Sequence, residues 1–419
     1  MSLLLDHAIW WQIFPLGALN APIRDRHGDD AAQRLQHPEP WLDYIQQLGC
    51  NGVLLGPIFT SVSHGYDTLD HFSIDPRLGN DADFDYFVEI CHERGIHIML
   101  DGVFNHVAET HPRAAEFTER DEHGNLQTWE GHGGLVNLDH SNPAVADLVT
   151  EVMLYWLRRG ISGWRLDVAY DVPPEFWREV TGRVRQEFPG ALFLGEMIHG
   201  EYEKFVEEST LDTITQYRLW KAIWSSIKEV NCWELDWGIK EHAGLCEHYV
   251  PQTFIGNHDV ERIATRVGID GAAVAAGVLL TLPGMPSIYY GDEQGFQGRK
   301  LEGFAADDEL RPPLPPSPDE LFPAGNWLYN LYQDLIGVRR RHPWIGRGLV
   351  EVTGKDNPWI EYTVSNRGGD ESIHVRATLE PTKSLTIADG DGNQLLFWEE
   401  AGEQEGTAQD AQDAQNAEQ

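Results

Sequence analysis

Two hydrophobic periodicities alternate along most of the chain. Short apolar runs rich in Val, Ile, Leu and aromatic residues are typical of buried strands, and the segments between them carry apolar residues every three or four positions, as amphipathic helices do. Strands are predicted at residues 9–14, 52–55, 96–100, 162–167, 191–194, 213–215, 252–255 and 287–290, and helices at 41–48, 83–94, 145–159, 174–188 and 327–341. This rhythm predicts parallel β/α units of the α/β class, and eight such units close into a (β/α)8 barrel.

The alternating pattern is interrupted once and then replaced. Residues 105–142 show no clear periodicity and are too many for an ordinary βα loop, so we expect a short excursion domain after strand three. Residues 344–400 change to short alternating runs, which predict a small C-terminal antiparallel β domain. The barrel is therefore assigned to residues 1–104 and 143–343, and the acidic tail at 401–419 is predicted to be disordered.

The amino-acid composition limits which partners the protein can bind and indicates where in the cell it is found. The chain has 419 residues, of which 31 are basic and 67 acidic, and its net charge of −36 argues against nucleic acid and anionic membranes as partners. With no apolar run of 18 residues and no leader pattern at its start, we expect neither a membrane span nor a signal peptide. The four cysteines lack C-x-x-C spacing and predict no zinc site. A Cys232–Cys246 disulfide stays open, although free thiols in a cytoplasmic protein are the simpler expectation.

The predicted strand at 162–167 carries two opposite charges on one face. Arg165 and Asp167 are two positions apart, and residues i and i+2 of a strand project to the same side. One interpretation is a buried ion pair that holds a core strand in place. The other is an ionised carboxylate kept beside a permanent cation, as a carboxylate nucleophile requires.

Polar residues that follow the other predicted strands decide between these interpretations. Active sites of (β/α)8 barrels lie at the carboxyl ends of the strands. Scattered structural polar residues would not all fall at those ends, so we interpret the set as an active site. It consists of Tyr66 and Asp67 after strand two, Asp101 and His106 after strand three, Glu196 after strand five, and His258 and Asp259 after strand seven.

Three carboxylates, Asp167, Glu196 and Asp259, fit the chemistry of glycoside hydrolysis. A retaining glycosidase needs a carboxylate nucleophile and a carboxylic acid roughly 5–5.5 Å apart, and neighbouring strands are about 4.7–4.9 Å apart. We expect Asp167, beside Arg165, to stay ionised as the nucleophile and Glu196 to carry the proton. Asp259 would stabilise the oxocarbenium-like transition state.

Four segments resemble the signature regions of the α-amylase family, glycoside hydrolase family 13. They are DGVFNH at 101–106, GWRLD at 163–167, GEMIH at 195–199 and FIGNHD at 254–259, and shorter matches extend the resemblance over residues 8–345. The resemblance implies an oligosaccharide substrate, with Asp167 as nucleophile, Glu196 as general acid/base and Asp259 as transition-state stabiliser. It also implies that the subsite of the cleaved glucose is lined by Tyr66, Asp67, His106, Arg165 and His258.

Several features depart from the commoner pattern of that family. Tyr170 and Asp171 occupy the positions of a Lys-His pair that contacts the leaving sugar. Asn105 matches one calcium ligand of the family, but the excursion domain is short and poor in carboxylates, so we expect no calcium site and no required cofactor. Arg311, ahead of a proline-rich loop, is expected to reach a sugar farther from the cleaved bond. Together these features favour short malto-oligosaccharides or related α-glucosides, mainly α-1,4 linked.

Two other functions stay open at this point. A transglycosylase or isomerase of the same family, trehalose-synthase-like or glucan-transferring, would form the same covalent intermediate but deliver it to a sugar rather than to water. A non-catalytic binding subunit with an amylase fold would have lost catalytic carboxylates, whereas all three are present. The oligomeric state is left open.

Four tryptophans recur at spacings of four residues. Trp220 and Trp224 form one pair and Trp233 and Trp237 another, so each pair lies on one face of a helix. Packing of these helices on the barrel is one interpretation, and a platform that stacks on sugars is the other.

Overall fold

The computed structural model describes residues 3–24, 32–120, 123–129, 134–303 and 305–401. Within these ranges the α-helices are α1 Leu4–His7, α2 Pro15–Ala18, α3 Glu39–Leu48, α4 Asp81–Glu93, α5 Ala114–Phe117, α6 Pro143–Arg158, α7 Pro174–Glu187, α8 Tyr202–Ser209, α9 Tyr217–Glu229, α10 Cys232–Leu245, α11 Ile263–Val267, α12 Ile269–Thr281 and α13 Asn326–Arg341. The strands are β1 Trp10–Ile13, β2 Gly52–Leu55, β3 Phe59–Ser61, β4 Thr68–Ile74, β5 His97–Gly102, β6 His106–Ala108, β7 Leu135–Asn137, β8 Gly163–Leu166, β9 Leu192–Gly195, β10 Thr213–Ile214, β11 Gln252–Phe254, β12 Met285–Tyr289, β13 Leu349–Asp356, β14 Trp359–Ser365, β15 Ser372–Thr378, β16 Ser384–Asp389 and β17 Gln394–Glu399.

Eight parallel strands form the central sheet, in the order β10-β9-β8-β5-β2-β1-β12-β11. The two ends of this sheet meet, because Thr215 bridges to Gln252 and the Gln216 amide donates to the Gln252 carbonyl at 2.9 Å. Each strand is followed along the chain by its neighbour in the sheet, as helical crossovers between parallel strands produce. The predicted (β/α)8 barrel is therefore confirmed, and the strand ends differ from the predicted ones by only one or two residues.

Alternate strand residues point into the barrel, and several of those near its amino end are apolar. Trp10, Leu54, Met99 and Met285 belong to one buried cluster. A Cβ at Gly52 would lie 2.5 Å from the Trp10 ring, so glycine gives the indole its space. This apolar layer leaves the polar inward-facing residues to the carboxyl end of the strands, where they can meet a ligand.

Two short hairpins that the sequence pattern does not predict extend from the barrel. β3 pairs with β4 after the second barrel strand, and β6 pairs with β7 within residues 105–142. In β4, Asp70, His71 and Ser73 break the period-two pattern by which a strand is recognised. His71 is instead held by a tertiary contact, a hydrogen bond of 2.9 Å between its Nε2 and the Val103 carbonyl.

The last five strands, β13 to β17, form an antiparallel sheet in chain order, as predicted for this part of the chain. This sheet packs on α12, where a Cβ at Gly277 would lie 2.3 Å from the Leu385 side chain. The hydroxyl groups of Tyr362 and Thr281 are 2.5 Å apart across the same contact. Residues 402–419, nearly all of the predicted tail, lie outside the described residues.

Two expectations about composition can be compared with the structure. All four cysteines have free thiols, so Cys232 and Cys246 form no disulfide. Across the described ranges, no helix combines the length and the apolar character that crossing a membrane requires.

Candidate active site

The carboxyl ends of the barrel strands surround a cavity of about 950 Å³. Arg165 and His258 are almost fully buried and contact residues that line this cavity. The volume lies within the range of small-molecule sites, roughly 300–1,000 Å³. Of the other eight predicted residues, Asp101 contacts Arg165 and seven line the cavity directly: Tyr66, Asp67, His106, Asp167, Glu196, Asp259 and Arg311.

Arg165 binds three carboxylates rather than one. Its Nη1 donates to both oxygens of Asp101 at 2.6 and 2.7 Å and to Oδ1 of Asp167 at 3.0 Å, and its Nη2 lies 2.7 Å from Oε1 of Glu196. The register of the strands explains this arrangement, because Asp101 lies directly opposite Arg165 and Leu166 opposite Gly195. The ion pair read from the sequence exists, but it is one part of a shared cluster.

This cluster contains three carboxylates but only one guanidinium, so negative groups outnumber positive ones. Burial raises the pKa of Asp167 well above its usual range, and Arg165 only partly opposes this effect. Burial likewise raises the pKa of Asp101 to about 6. Burial therefore opposes the ionisation that Arg165 favours, because one guanidinium is shared among three buried carboxylates, and the ionised form of Asp167 stays a prediction. We expect the ionised nucleophile to require a higher pH than an exposed aspartate does.

Two hydrogen bonds hold Glu196 in addition to its contact with Arg165. The Val168 amide donates to its Oε2 at 3.0 Å, and the Tyr217 hydroxyl donates to its Oε1 at 3.2 Å. Asn257 in turn donates to the Tyr217 hydroxyl at 2.8 Å. Val168 has a φ of 48°, a left-handed conformation that is strained for a β-branched residue. Strain at this residue thus accompanies a hydrogen bond to the predicted acid.

Asp259 is fixed from two sides. Arg311 Nη2 lies 3.0 Å from its Oδ1, and His258 Nε2 lies 3.0 Å from its Oδ2. Burial lowers the pKa of His258 to about 3, so the ring is neutral at pH 7. Gln12 Nε2 lies 3.2 Å from His258 Nδ1 and can only donate, which leaves the ring proton on Nε2, directed at Asp259. Although burial acts against it, His258 and Arg311 lower the pKa of Asp259 to about 2.

Arg311 is also anchored beyond Asp259. Its Nε donates to the His258 carbonyl at 3.0 Å, and its Nη2 donates to Asp307 at 3.0 Å. The guanidinium lies 4.3 Å from the centre of the Phe14 ring. The side chain expected to reach a distant sugar therefore also orients Asp259.

Tyr66, Asp67 and His106 form the remaining wall. The Tyr66 hydroxyl donates to Asp101 Oδ2 at 3.0 Å and contacts His258 Nε2, and its ring stacks on His258 with centroids 5.5 Å apart. Asp67 accepts from the Gly65 amide at 3.2 Å. His106 stacks on Trp129 at 4.7 Å. The aromatic rings of Tyr66 and His106 can pack on the face of a sugar ring. The Asp67 carboxylate can accept hydrogen bonds from sugar hydroxyls.

Sequence reasoning placed Asp101 at a strand end but did not predict that it binds Arg165. Asn257 stands inside a recognised segment, and only the folded barrel shows that it holds Tyr217. Tyr217 follows a strand of two residues and carries no sequence signal. Tyr170 and Ile198 also line the cavity, beside Asp167 and Glu196 respectively.

The described residues do not fit a calcium site. Across the described ranges, no three His, Cys, Asp or Glu side chains are grouped so as to hold a metal ion. Two carboxylates of the excursion have partners of their own: Glu116 pairs with Arg113 at 2.9 Å, and Asp139 accepts hydrogen bonds from Ser141. The amide nitrogen of Asn105, which matches a family ligand, lies 3.3 Å from His106 Nδ1. We therefore propose that activity needs no calcium.

Exhaustive treatment with EGTA is expected to leave the activity and the melting temperature unchanged. A calcium ion present at 1,000 times its Kd would add about 4.1 kcal/mol to the free energy of unfolding. With an unfolding entropy of about 2.1 cal/mol/K per residue, that corresponds to a melting shift of roughly 5 °C for a chain of 419 residues. Thermal melts with and without chelator, followed by re-addition of calcium, measure it. A calcium-reversible drop of that size would contradict the expectation.

Comparison with known proteins identifies the family. A family model of the α-amylase catalytic domain matches residues 39–130 and 127–314, which is more than half of the chain. The chain belongs to the α-amylase family. The family resemblance of the four sequence segments is thus confirmed. The chain is therefore a glycoside hydrolase that acts on α-glucosidic bonds. The interpretation as a non-catalytic binding subunit is set aside.

Relatives differ in how much of their length they share with this α-amylase-family chain. A cyclomaltodextrinase of a Bacillus species is 31% identical over 394 residues, covering 84% of this chain and 69% of that protein. An intracellular maltogenic amylase of Bacillus subtilis (strain 168) is 30% identical over 337 residues, covering 69% of this chain and 56% of that protein. The chain thus spans between about half and two thirds of their lengths.

A solved structure matches over nearly the whole chain. The cyclic α-maltosyl-(1→6)-maltose hydrolase of Arthrobacter globiformis, in complex with cyclic α-maltosyl-(1→6)-maltose, has a TM-score of 0.79 and 25% identity. The alignment covers 95% of this chain and 99% of that chain. The barrel and the C-terminal sheet therefore form an arrangement that occurs in an enzyme of similar length.

Proposed function

We propose that this α-amylase-family enzyme is a retaining hydrolase that cleaves mainly α-1,4 bonds in short malto-oligosaccharides or related α-glucosides. The observation that carries the proposal is the pairing of Asp167 and Glu196 with one guanidinium at the base of the cavity. Two carboxylates on one guanidinium lie close enough for nucleophile and acid to act on the same glycosidic bond.

The first half of the reaction forms a covalent intermediate. An Asp167 oxygen attacks the anomeric carbon while Glu196 transfers its proton to the glycosidic oxygen, so the C–O bond breaks and the leaving sugar departs as an alcohol. Positive charge develops on the ring carbon and ring oxygen. Asp259, whose pKa lies at about 2, is ionised at pH 7 and stabilises this charge.

The second half restores the enzyme. Glu196, now a carboxylate, takes a proton from water, and that water attacks the anomeric carbon and releases Asp167. Two displacements at the same carbon return the α configuration. The hydrogen bonds from Val168 and Tyr217 hold Glu196 in place for both proton transfers.

Ion pairs at the cavity wall support a short substrate. Arg24 and Asp307 line the cavity. Arg24 pairs with Asp308 at 2.5 Å, and Asp307 pairs with Arg311 at 3.0 Å. The Arg24–Asp308 pair joins two distant parts of the chain, and Arg311 also contacts Asp259. The cavity of about 950 Å³ has room for a few sugar rings.

Transfer to a sugar is the second candidate function, and one feature favours it. The cavity lining includes Tyr170, three residues after Asp167, and Ile198, which follows Glu196 by two residues and is 43% exposed. The Tyr170 ring also contacts His199, with centroids 4.6 Å apart. An apolar, aromatic wall suits a sugar acceptor better than it orders water.

Chromatography of products from maltose, maltotriose, cyclodextrin, isomaltose, trehalose and sucrose tests the proposal. We expect glucose and maltose from maltotriose, with much slower reaction of isomaltose, trehalose and sucrose. Products longer than the substrate would show a glucan-transferring enzyme, and trehalose formed from maltose would show an isomerase. Either result as the main reaction would overturn hydrolysis.

The proposed location is the cytoplasm. The chain has four free thiols. The related enzyme of Bacillus subtilis is described as intracellular. Short α-glucosides that have been taken up by a cell would meet the enzyme there.

A further inference from the structure

Three segments of the chain build the cavity wall on the side of Asp259. One segment follows β1, one follows β12, and one joins β3 to β4. They line the cavity at Arg24, Asp307 and Ser63 respectively, among other residues. The contacts between these segments decide whether a sugar chain can leave the cavity on this side.

An ion pair joins the segment after β1 to the segment after β12. Arg24 Nη1 and Nη2 donate to the two carboxylate oxygens of Asp308 at 2.6 and 2.5 Å. Such bidentate geometry fixes the orientation of both side chains. The neighbouring Asp307 binds Arg311 at 3.0 Å, and Arg311 in turn binds Asp259 at 3.0 Å. The segment after β12 is therefore tied both to Arg24 and to the carboxylate proposed to stabilise the transition state.

Arg77 joins the segment after β1 to the segment between β3 and β4. Its side chain is fully buried, and its Nη1 donates to the Pro22 carbonyl at 2.9 Å and to the Ser63 carbonyl at 2.6 Å. Its Nε and Nη2 donate to Asp75 at 2.8 and 2.7 Å, so the buried cation is paired with a carboxylate. The three segments are thus linked into one wall.

The proposed mechanism fixes which part of the substrate meets this wall. Asp259 stabilises the charge on the glucose that Asp167 attacks, whereas Glu196 protonates the oxygen of the leaving sugar. In an α-1,4-linked chain the attacked glucose lies on the non-reducing side of the cleaved bond. Glucose units that precede it therefore extend past Asp259 toward the segments that carry Arg24 and Asp308.

We propose that the Arg24–Asp308 pair closes the cavity at the non-reducing end of the substrate, so that the enzyme cuts α-glucan chains near that end. The inference rests on the proposed function, because the mechanism decides which side of the cavity receives the non-reducing end. The two side chains are 28% and 46% exposed, so they lie at the outer edge of the wall, where a longer chain would have to pass. A closed wall accepts a terminal glucose and excludes a chain that continues beyond it.

Maltoheptaose with a fluorescent tag at its reducing end shows where the chain is cut. Cuts near the non-reducing end give tagged products only slightly shorter than the substrate, whereas interior cuts give tagged products of every length. We expect the first pattern from the parent enzyme. Combining Arg24→Ala with Asp308→Ala should raise the ratio of interior to terminal cuts about fivefold or more, the change that ~1 kcal/mol produces. An equal ratio in parent and variant would overturn the proposal.

Reversal of the charges separates the ion pair from the bulk of the two side chains. Arg24→Asp alone places two carboxylates together and should raise interior cutting, while Arg24→Asp combined with Asp308→Arg should restore terminal cutting. Failure of the combination to restore it would overturn the role of the pair. Arg158→Ala is the matched control, because Arg158 also binds a carboxylate in bidentate fashion, that of Glu187 at 2.8 and 2.6 Å, but lies outside the cavity lining.

A blocked substrate tests the wall without relying on turnover. A benzylidene acetal on the terminal glucose of maltoheptaose should weaken binding to the Asp167→Asn enzyme far more than to the same enzyme with Arg24→Ala and Asp308→Ala. Calorimetric titration measures the four Kd values, and an equal effect of the acetal in both would overturn the closed end. This titration reports on the wall even if the enzyme fails to hydrolyse maltotriose, a result that would refute the proposed function. Asp308→Asn replaces the double alanine variant if the latter does not fold.

Discussion

Asp167→Asn is expected to lower turnover by about four orders of magnitude or more, because the amide cannot form the glycosyl ester. The same change is expected to raise the melting temperature at pH 7. Asp101, Asp167 and Glu196 share one cation, and asparagine removes one of the three buried charges without changing shape. Relief of each kcal/mol raises the melting temperature of a chain of 419 residues by roughly 1 °C.

The pH dependence of that stabilisation follows from the direction of the pKa shift. Burial raises the pKa of Asp167 above its unfolded value, so the folded state holds the proton more tightly than the unfolded state does. The protonated form is therefore favourable below the unfolded pKa, and this stability is lost as the pH rises through the folded pKa. The gain from asparagine should be largest at neutral pH and shrink as the pH falls toward 4.

Thermal melts across pH, paired with turnover measurements, check both parts. Asp147→Asn is the control, because Asp147 is exposed and pairs with Arg183 on the surface at 2.7 Å. It should leave turnover and melting nearly unchanged. A variant that keeps more than a few per cent of its activity would show that Asp167 is not the nucleophile.

Glu196→Gln is expected to affect substrates according to their leaving groups. With maltotriose the leaving alkoxide needs a proton, and loss of general acid catalysis costs about 10²–10⁴-fold. With an activated aryl α-glucoside the phenolate departs without a proton, so formation of the intermediate should stay fast. Hydrolysis of the intermediate still needs Glu196 as a base, so phenolate should appear as a burst followed by a slow steady rate.

Stopped-flow absorbance of the released phenolate measures the burst and the steady rate. Glu187→Gln is the control, because Glu187 lies on the surface and pairs with Arg158 at 2.6 Å. Equal losses on maltotriose and on the aryl glucoside, without a burst, would remove Glu196 from the acid/base role.

Much of the fold could be predicted because it depends on local patterns. The barrel strands are continuous apolar runs between amphipathic helices, and the polar residues gather where those runs end. The hairpin of β4 could not be predicted, because His71 is stabilised by the distant Val103 carbonyl rather than by neighbours in sequence.

In the candidate site, too, the positions of residues could be predicted from the sequence, but their tertiary contacts could not. The positions of Asp167, Glu196 and Asp259 follow from strand ends, but the balance of charge around them does not. Arg165 serves Asp101 and Glu196 as well as Asp167, so it only partly opposes the rise that burial causes in the pKa of Asp167. Spacing likewise places Trp233 and Trp237 on one helical face, and only the packed structure shows that this face is exposed.

The configuration of the first product tests the retaining mechanism most directly. Proton NMR during early turnover of maltotriose distinguishes the α from the β anomer of the newly formed reducing end before the two equilibrate. A double displacement through Asp167 predicts that the α anomer appears first and the β anomer only later, as mutarotation proceeds. Initial appearance of the β anomer would mean a single displacement by water and would contradict the covalent intermediate.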